Sequence, residues 1–453
     1  MYRPKDRQTL PLFPELFPLG GVLRADNRWV RLADVIPWGE VEELYRAYFS
    51  SDRGRPAKDA RLFCGLLIVK HVDRESDEDV VERFLESPYV QWFCGYERFV
   101  TENVINPSLL SKTRKRLGAK FFEDFERALI GVLVERKILK PGSHLLDATV
   151  VPANITFPTD AKLLNRARVW VVEAIGTLRK RLNLKEKVRT YCRVARLFFV
   201  NFQKKRKKTK AMIRLARGKI LRYLRRNVRQ LEELLKRHGR GLATREREAL
   251  RTRLEVIKTI YAQQHEMWKR KARSVKERIV SLHLPHIRAI VRGKDGKAVE
   301  FGPKALLSWT GRFAFLDKLA FEAYNEGLFL KESLEKYHER FKKDPKDSTG
   351  DGIFGTRANR GMLKEMKIRG GFKALGKAAR QRINRQWFRR KQALRSSRME
   401  GLIGNAKNHY GLDRIWYRVA GGEEMWTRNC LMAMNLVTAL KIMTEMSVVA
   451  AKA

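Results

Sequence analysis

The chain has 453 residues, with 96 Lys and Arg against 50 Asp and Glu, a net charge of +46, and a hydrophobic share of 44%. That share is enough for a sizeable packed core and excludes a disordered basic tail. Such a charge repels itself unless neutralised, so the composition points to nucleic acid first and an anionic membrane surface second.

Residues 1–21 carry several prolines and no continuous apolar core, unlike a signal peptide. The segments WGEVEELYRAYF and ARLFCGLLIVKHV repeat apolar residues at three- and four-residue steps, which predicts helices. Asn106-Pro107-Ser108 is a helix-start signal, followed closely by Lys112, Arg114, Lys115 and Arg116. We expect a helical domain over 1–138, able to hold a helix-turn-helix or simply a solvated basic face. Cys64, Cys94, Cys192 and Cys430 lie far apart with no CxxC pair, which disfavours a zinc finger or a disulfide framework and fits a reducing cytoplasm.

The pattern changes at Pro141-Gly142. Residues 143–151, SHLLDATVV, read as a buried strand, and Asp147 inside that apolar run is costly unless paired or bound to a cation. We therefore take 139–164 as the first strand of a core and 165–282 as a basic helical insertion. Residues 161–280 hold 38 Lys and Arg against nine Glu, a net +29. Their apolar spacing predicts long antiparallel helices with a glycine turn near 239–241. Six cations fall within 204–210 without acidic partners, so Lys204, Lys205, Arg206, Lys207, Lys208 and Lys210 are nucleic-acid candidates, with Arg225 and Arg226 further on.

Strands return in 283–453. HLPHIRAIVRG and VEFGPKALLSWT read as a hairpin about Asp295-Gly296, GRFAFLDKLAFEA as a further strand, and FLKESLEKYHERFKKD as a helix. Asp351 stands at a loop–helix junction, although its lead, 345–350 (PKDSTG), is a poor strand by composition. Glu400 lies in a helical segment, with Lys407 about two turns on. Three converging carboxylates, Asp147, Asp351 and Glu400, would suit two divalent ions in phosphodiester chemistry. Scattered caps and turns are the bland alternative. The run 367–398 has 12 Lys and Arg and no acid. Within it Arg385, Arg389, Arg390 and Lys391 surround Trp387 and Phe388, a mix that contacts phosphates and stacks bases. Residues 371–378 imitate a P-loop but lack the final Ser or Thr, and His283 and His286 read as structural. Residues 429–450 are the most apolar stretch, but Asn435, Lys441 and Glu445 interrupt it, so we expect a buried helix. The fold class is mixed α/β.

Taken together, LLDATVVPANITFPTDAKLLNRAR, VRGKDGKAVEFGPKALLSW, GDGIFGTRANR and EGLIGNAKNHYGLDRI resemble bacterial insertion-sequence transposases of the DDE type. The earlier segments GRPAKDARLFCGLLIVKHV and PSLLSKTRKRLG resemble the helical domain that precedes their catalytic core. The resemblance implies an RNase H-like core with a helical N-terminal domain and a long helical insertion. It implies Asp147, Asp351 and Glu400 as ligands of two Mg²⁺ or Mn²⁺ ions, and Lys407 as a cation that holds a phosphate near the cut. It also implies cleavage of double-stranded DNA at element ends, strand transfer to target DNA, a homo-oligomer on DNA without membrane association, and a place on the nucleoid. Many members of that group carry Tyr and Arg seven and four residues before the glutamate, where this chain has Ala393 and Ser396. The rival reading is a non-catalytic, transposase-derived DNA-binding protein.

Overall fold

The computed structural model describes residues 1–2, 23–291, 299–322, 324–373 and 384–450. The Asp295-Gly296 turn, residues 374–378 of the P-loop-like stretch and part of the basic run lie outside the described residues. The chain groups into two compact units, Met1–Asn154 with Ile290–Ala453, and Ile155–Ala289.

The first unit opens with six helices: α1 (Arg28–Val35), α2 (Trp38–Arg46), α3 (Ala60–Asp73), α4 (Asp77–Glu86), α5 (Pro88–Phe93) and α6 (Pro107–Glu135). Local chemistry sets their starts. Asp59 accepts from the Arg61 and Leu62 amides, Ser76 and Asp79 form a capping box, and Asn106 Oδ1 accepts from Ser108 N–H at 2.9 Å. Gly118, at φ 66°, kinks α6 where a side chain would be strained. Helix α3 is buried on nearly every side, as its lack of a polar stripe demands.

Strand β1 (Ser143–Val150) follows. The inserted unit then carries α7 (Asp160–Arg181), α8 (Cys192–Lys204), α9 (Lys210–His238) and α10 (Thr244–Lys269). A single 3₁₀ turn, Gly239–Gly241, joins the last two, as the glycine spacing predicts. Leu164, Val171, Leu224, Leu231, Ile257 and Ile260 form its core. Asp160 is held there by Arg217 at 3.2 Å and by Arg278.

The chain returns through β2 (Ala289–Val291), β3 (Val299–Phe301), β4 (Lys304–Thr310), β5 (Phe313–Ala320), α11 (Leu330–Phe341), β6 (Asp347–Thr349), α12 (Arg357–Glu365), β7 (Arg369–Gly370), α13 (Arg385–His409) and α14 (Gly422–Ala450). The expected hairpin divides. β2 and β3 make a separate two-stranded sheet, while β4 joins the main one. The break falls at Gly302-Pro303, where a Cβ on Gly302 would sit 2.0 Å from the Val151 carbonyl and proline offers no N–H to a ladder.

The main sheet has the order β5-β4-β1-β6-β7. β4 runs antiparallel to both β1 and β5, whereas β6 runs parallel to both β1 and β7. Alternation along β1 sends Leu145 into the large core shared with the helices, and Leu146 into a second core with Leu334 of α11 and Leu363 of α12. The segment that composition marked as a poor strand is β6, with Ser348 and Thr349 fully buried. Pairing on both sides overrides its weak propensity, because strand preference mostly measures fit to neighbours. A buried polar network backs it: His144 lies 3.2 Å from Ser348 Oγ and 3.1 Å from Ser333 Oγ, and Ser333 donates to Asp317. Burial pushes the Asp317 carboxyl up, but Arg340 and His144 outweigh it and hold the group well below the usual carboxylate range.

Helix α14 is long and apolar enough to cross a membrane by length and composition. Its first half is buried against α3, α6 and β5. Asn435, which broke the apolar run in sequence, accepts from Ala314 N–H at 3.0 Å and donates to its carbonyl at 2.8 Å. It thereby satisfies backbone groups of edge strand β5.

Candidate active site

The site forms where β1 and β6 end side by side. Leu145 pairs with Thr349 in parallel register. Two residues further along each chain stand Asp147 and Asp351, and Asp351 is still extended, at φ −67° and ψ 173°. Equal offsets from one pair put both carboxylates on the same sheet face, the face toward α13.

Asp147 is partly buried. Its Oδ1 accepts from Ala148 N–H at 2.8 Å, and its Oδ2 from Arg395 at 3.3 Å. Burial pushes its carboxyl above the ordinary range. The Ala148 N–H and Arg395 oppose that shift, while the negative charges of Glu326 and Asp351 add to it. Asp351 is exposed and caps a short 3₁₀ turn, accepting from Ile353 N–H at 2.9 Å. Glu326 begins another short turn and pairs with Lys304 of β4 at 2.5 Å. Its loop abuts the residues after Asp351: Asn359 donates to the Gly327 carbonyl at 2.7 Å, and a Cβ on Gly327 would lie 2.3 Å from the Ile353 carbonyl.

Helix α13 is fixed over these strands by one face. Lys391 bonds Asp347 at 2.7 Å and Ser143 at 2.6 Å, and Arg395, one turn later, reaches Asp147. Gln392 donates to the Gly350 carbonyl at 3.2 Å and to the Gly371 carbonyl at 2.5 Å. Met399 and Ala406 continue the buried face. Glu400 falls on the exposed side, accepting from Ser396 Oγ at 3.1 Å, and Lys407 is half-buried two turns on.

The structure therefore brings Asp147 and Asp351 together and does not gather Glu400 with them. Among the described residues, no group of three or more His, Cys, Asp or Glu side chains is arranged to hold a metal ion. Two adjacent carboxylates still match the donor chemistry of a small hard cation, which commonly takes one or two carboxylates and completes its shell with water and substrate phosphate.

The basic candidates divide by burial. Lys204, Lys205, Arg206, Lys207, Lys210 and Arg225 are exposed, and exposed Arg226 lies over the Tyr191 ring. Lys208 folds back onto the Gln203 and Lys205 carbonyls at the end of α8. Arg385, Arg389 and Arg390 point outward, whereas Lys391, expected to grip DNA, is buried against Asp347. Its attraction to the Asp347 carboxylate holds it there, because withdrawing it would leave a buried charge unpaired. Trp387 lies against Arg369, whose guanidinium is 3.7 Å from its ring. Sequence reading missed Glu326 and Lys304, which no local pattern joins. Arg395 was detectable from its position one turn after Lys391 and one before Met399.

A family profile described as "Transposase domain (DUF772)" matches residues 18–116. The chain is also similar to the "Uncharacterized protein ORF8 in nfe locus" of Rhizobium meliloti, at 38% identity over 157 residues, covering 34% of this chain and 75% of that protein. No solved structure matches it. With the helical segment, the paired strand-end aspartates and these similarities in hand, the chain belongs to an insertion-sequence transposase family.

Proposed function

We propose that the protein cuts double-stranded DNA at the ends of its element and joins the freed strand to target DNA, using an RNase H-like core. The observation that carries this reading is the equal offset of Asp147 on β1 and of Asp351, two residues past the end of β6, from the parallel Leu145–Thr349 pair, in a sheet with one internal antiparallel strand. Asp147 and Asp351 would hold Mg²⁺ or Mn²⁺, with Glu400 and Lys407 approaching from α13 when DNA is present. Such ions, when bound, polarise phosphoryl oxygens and activate an attacking oxygen. Arg395 balances the Asp147 charge, and Lys304 neutralises Glu326 at the rim. The exposed cations of 204–210 and of α13 would grip phosphates, in a cytoplasmic, nucleoid-bound assembly of several copies.

The test is strand cleavage of end-bearing DNA in Mn²⁺, comparing the wild type with Asp147→Ala and Asp351→Ala. Nicking by the wild type alone supports the site. Equal nicking by all three sinks it. The second reading, a DNA-binding protein without catalysis, draws on the Asp147–Arg395 pair and on Glu400 standing apart. It predicts no nicking by any form while binding persists.

A further inference from the structure

The inserted unit carries a row of rings that only partly joins its core, since Tyr261 and Trp268 pack against that core with one side and stay partly exposed on the other. Tyr261, His265 and Trp268 stand on one side of α10 as a ladder of near-parallel rings. Tyr261 and His265 centroids are 5.6 Å apart at 18°, and His265 and Trp268 are 6.2 Å apart at 30°. The helix-packing residues Leu254, Ile257 and Ile260 are almost fully buried, but the three rings remain partly exposed. They line a cavity of about 360 Å³ whose opposite wall is Gly218 and Leu221 of α9.

The far end of the ladder is locked. Trp268 Nε1–H donates to the Arg214 carbonyl at 3.1 Å, Arg214 donates back to the Trp268 carbonyl at 2.9 Å, and its guanidinium lies 5.0 Å from the indole centre. Gly218 leaves the indole room, since a Cβ there would sit 3.1 Å from Cζ2. Arg222 and Arg225 border the opening, both exposed and neither ion-paired among the described residues. No acidic side chain lines the cavity.

We propose that this groove binds an unpaired nucleotide, with its base stacked on the Tyr261–His265–Trp268 ladder and its phosphate held by Arg222 and Arg225. Aromatic faces beside arginines stack bases of any sequence, and the space between two packed helices admits one base but not a duplex. The inference rests on the DNA reading above and specifies which form of DNA the inserted unit handles.

Full-length protein should be titrated with a labelled single strand and with the matching duplex. Tyr261→Ala and His265→Ala are expected to weaken single-strand binding roughly tenfold each, within the range of about 5- to 150-fold for losing one stacked base. Duplex affinity should stay within about twofold, and Tyr261→Phe should restore single-strand binding. Photocrosslinking of an iodouracil-bearing strand should map to residues 261–268. Unchanged single-strand affinity, an equal loss on duplex, or crosslinks confined to other segments would overturn the proposal. The nicking assay separates the two ideas. Metal-dependent nicking with an inert ladder removes only this inference, and a working ladder without nicking removes only the catalytic reading.

Discussion

Replacing Lys391 by Met tests whether this cation anchors the fold or grips DNA. Asp347 is 7% exposed, its Oδ1 has no hydrogen-bond partner, and its Oδ2 is shared by Lys391 Nζ at 2.7 Å and Ser143 Oγ at 3.1 Å. The substitution leaves a buried carboxylate with one hydroxyl donor. Breaking a buried pair from one side costs about 3–5 kcal/mol. The expected loss is therefore roughly 4 kcal/mol, concentrated where α13 meets β1 and β6. Denaturant unfolding and hydrogen exchange of 143–147 and 391–399 would read it. The double variant Asp347→Leu with Lys391→Met should recover most of the loss, since apolar packing can replace a buried pair. Unchanged stability with a DNA salt slope reduced by about one would refute the argument and return Lys391 to the phosphate-binding set.

Three further predictions follow from single contacts. Burial, aided by the Lys70 and Arg114 charges, pushes the His71 imidazole down to about 3. The unfolded chain takes that proton near pH 6.5 and the folded one does not, so this contribution is complete above pH 6.5 and lost as pH falls toward 3. Its slope approaches about 1.4 kcal/mol per pH unit, and His71→Gln should remove that increment from the measured pH profile; equal profiles would count against it. Asn435→Ala strips both partners from Ala314 on edge strand β5 and should cost about 2–4 kcal/mol in unfolding experiments, with faster exchange at Ala314. Gly327→Ala forces a Cβ against the Ile353 carbonyl and should cost about 1–3 kcal/mol while displacing Glu326 from Asp147; full retention of stability would show that the loop yields freely.

Much of the framework was legible from local pattern. The Asn106 cap, the apolar run of β1 and the glycine turn between α9 and α10 depend on neighbours in sequence, and each appears where those neighbours place it. Charge and composition likewise sufficed to put nucleic acid first among expected partners, because net charge needs no fold to be read. Tertiary structure decided the rest. β6 exists because it lies between β1 and β7, although its composition argues against a strand. Asp147 and Asp351, two hundred residues apart in sequence, become neighbours only through the parallel register of those strands. Along α13 the rotation of the helix turns Arg389 and Arg390 outward, Lys391 and Arg395 inward, and Glu400 away from the two aspartates. Sequence supplies a charge to each residue, but the direction in which that charge points, and the water or carboxylate it meets, is a property of packing.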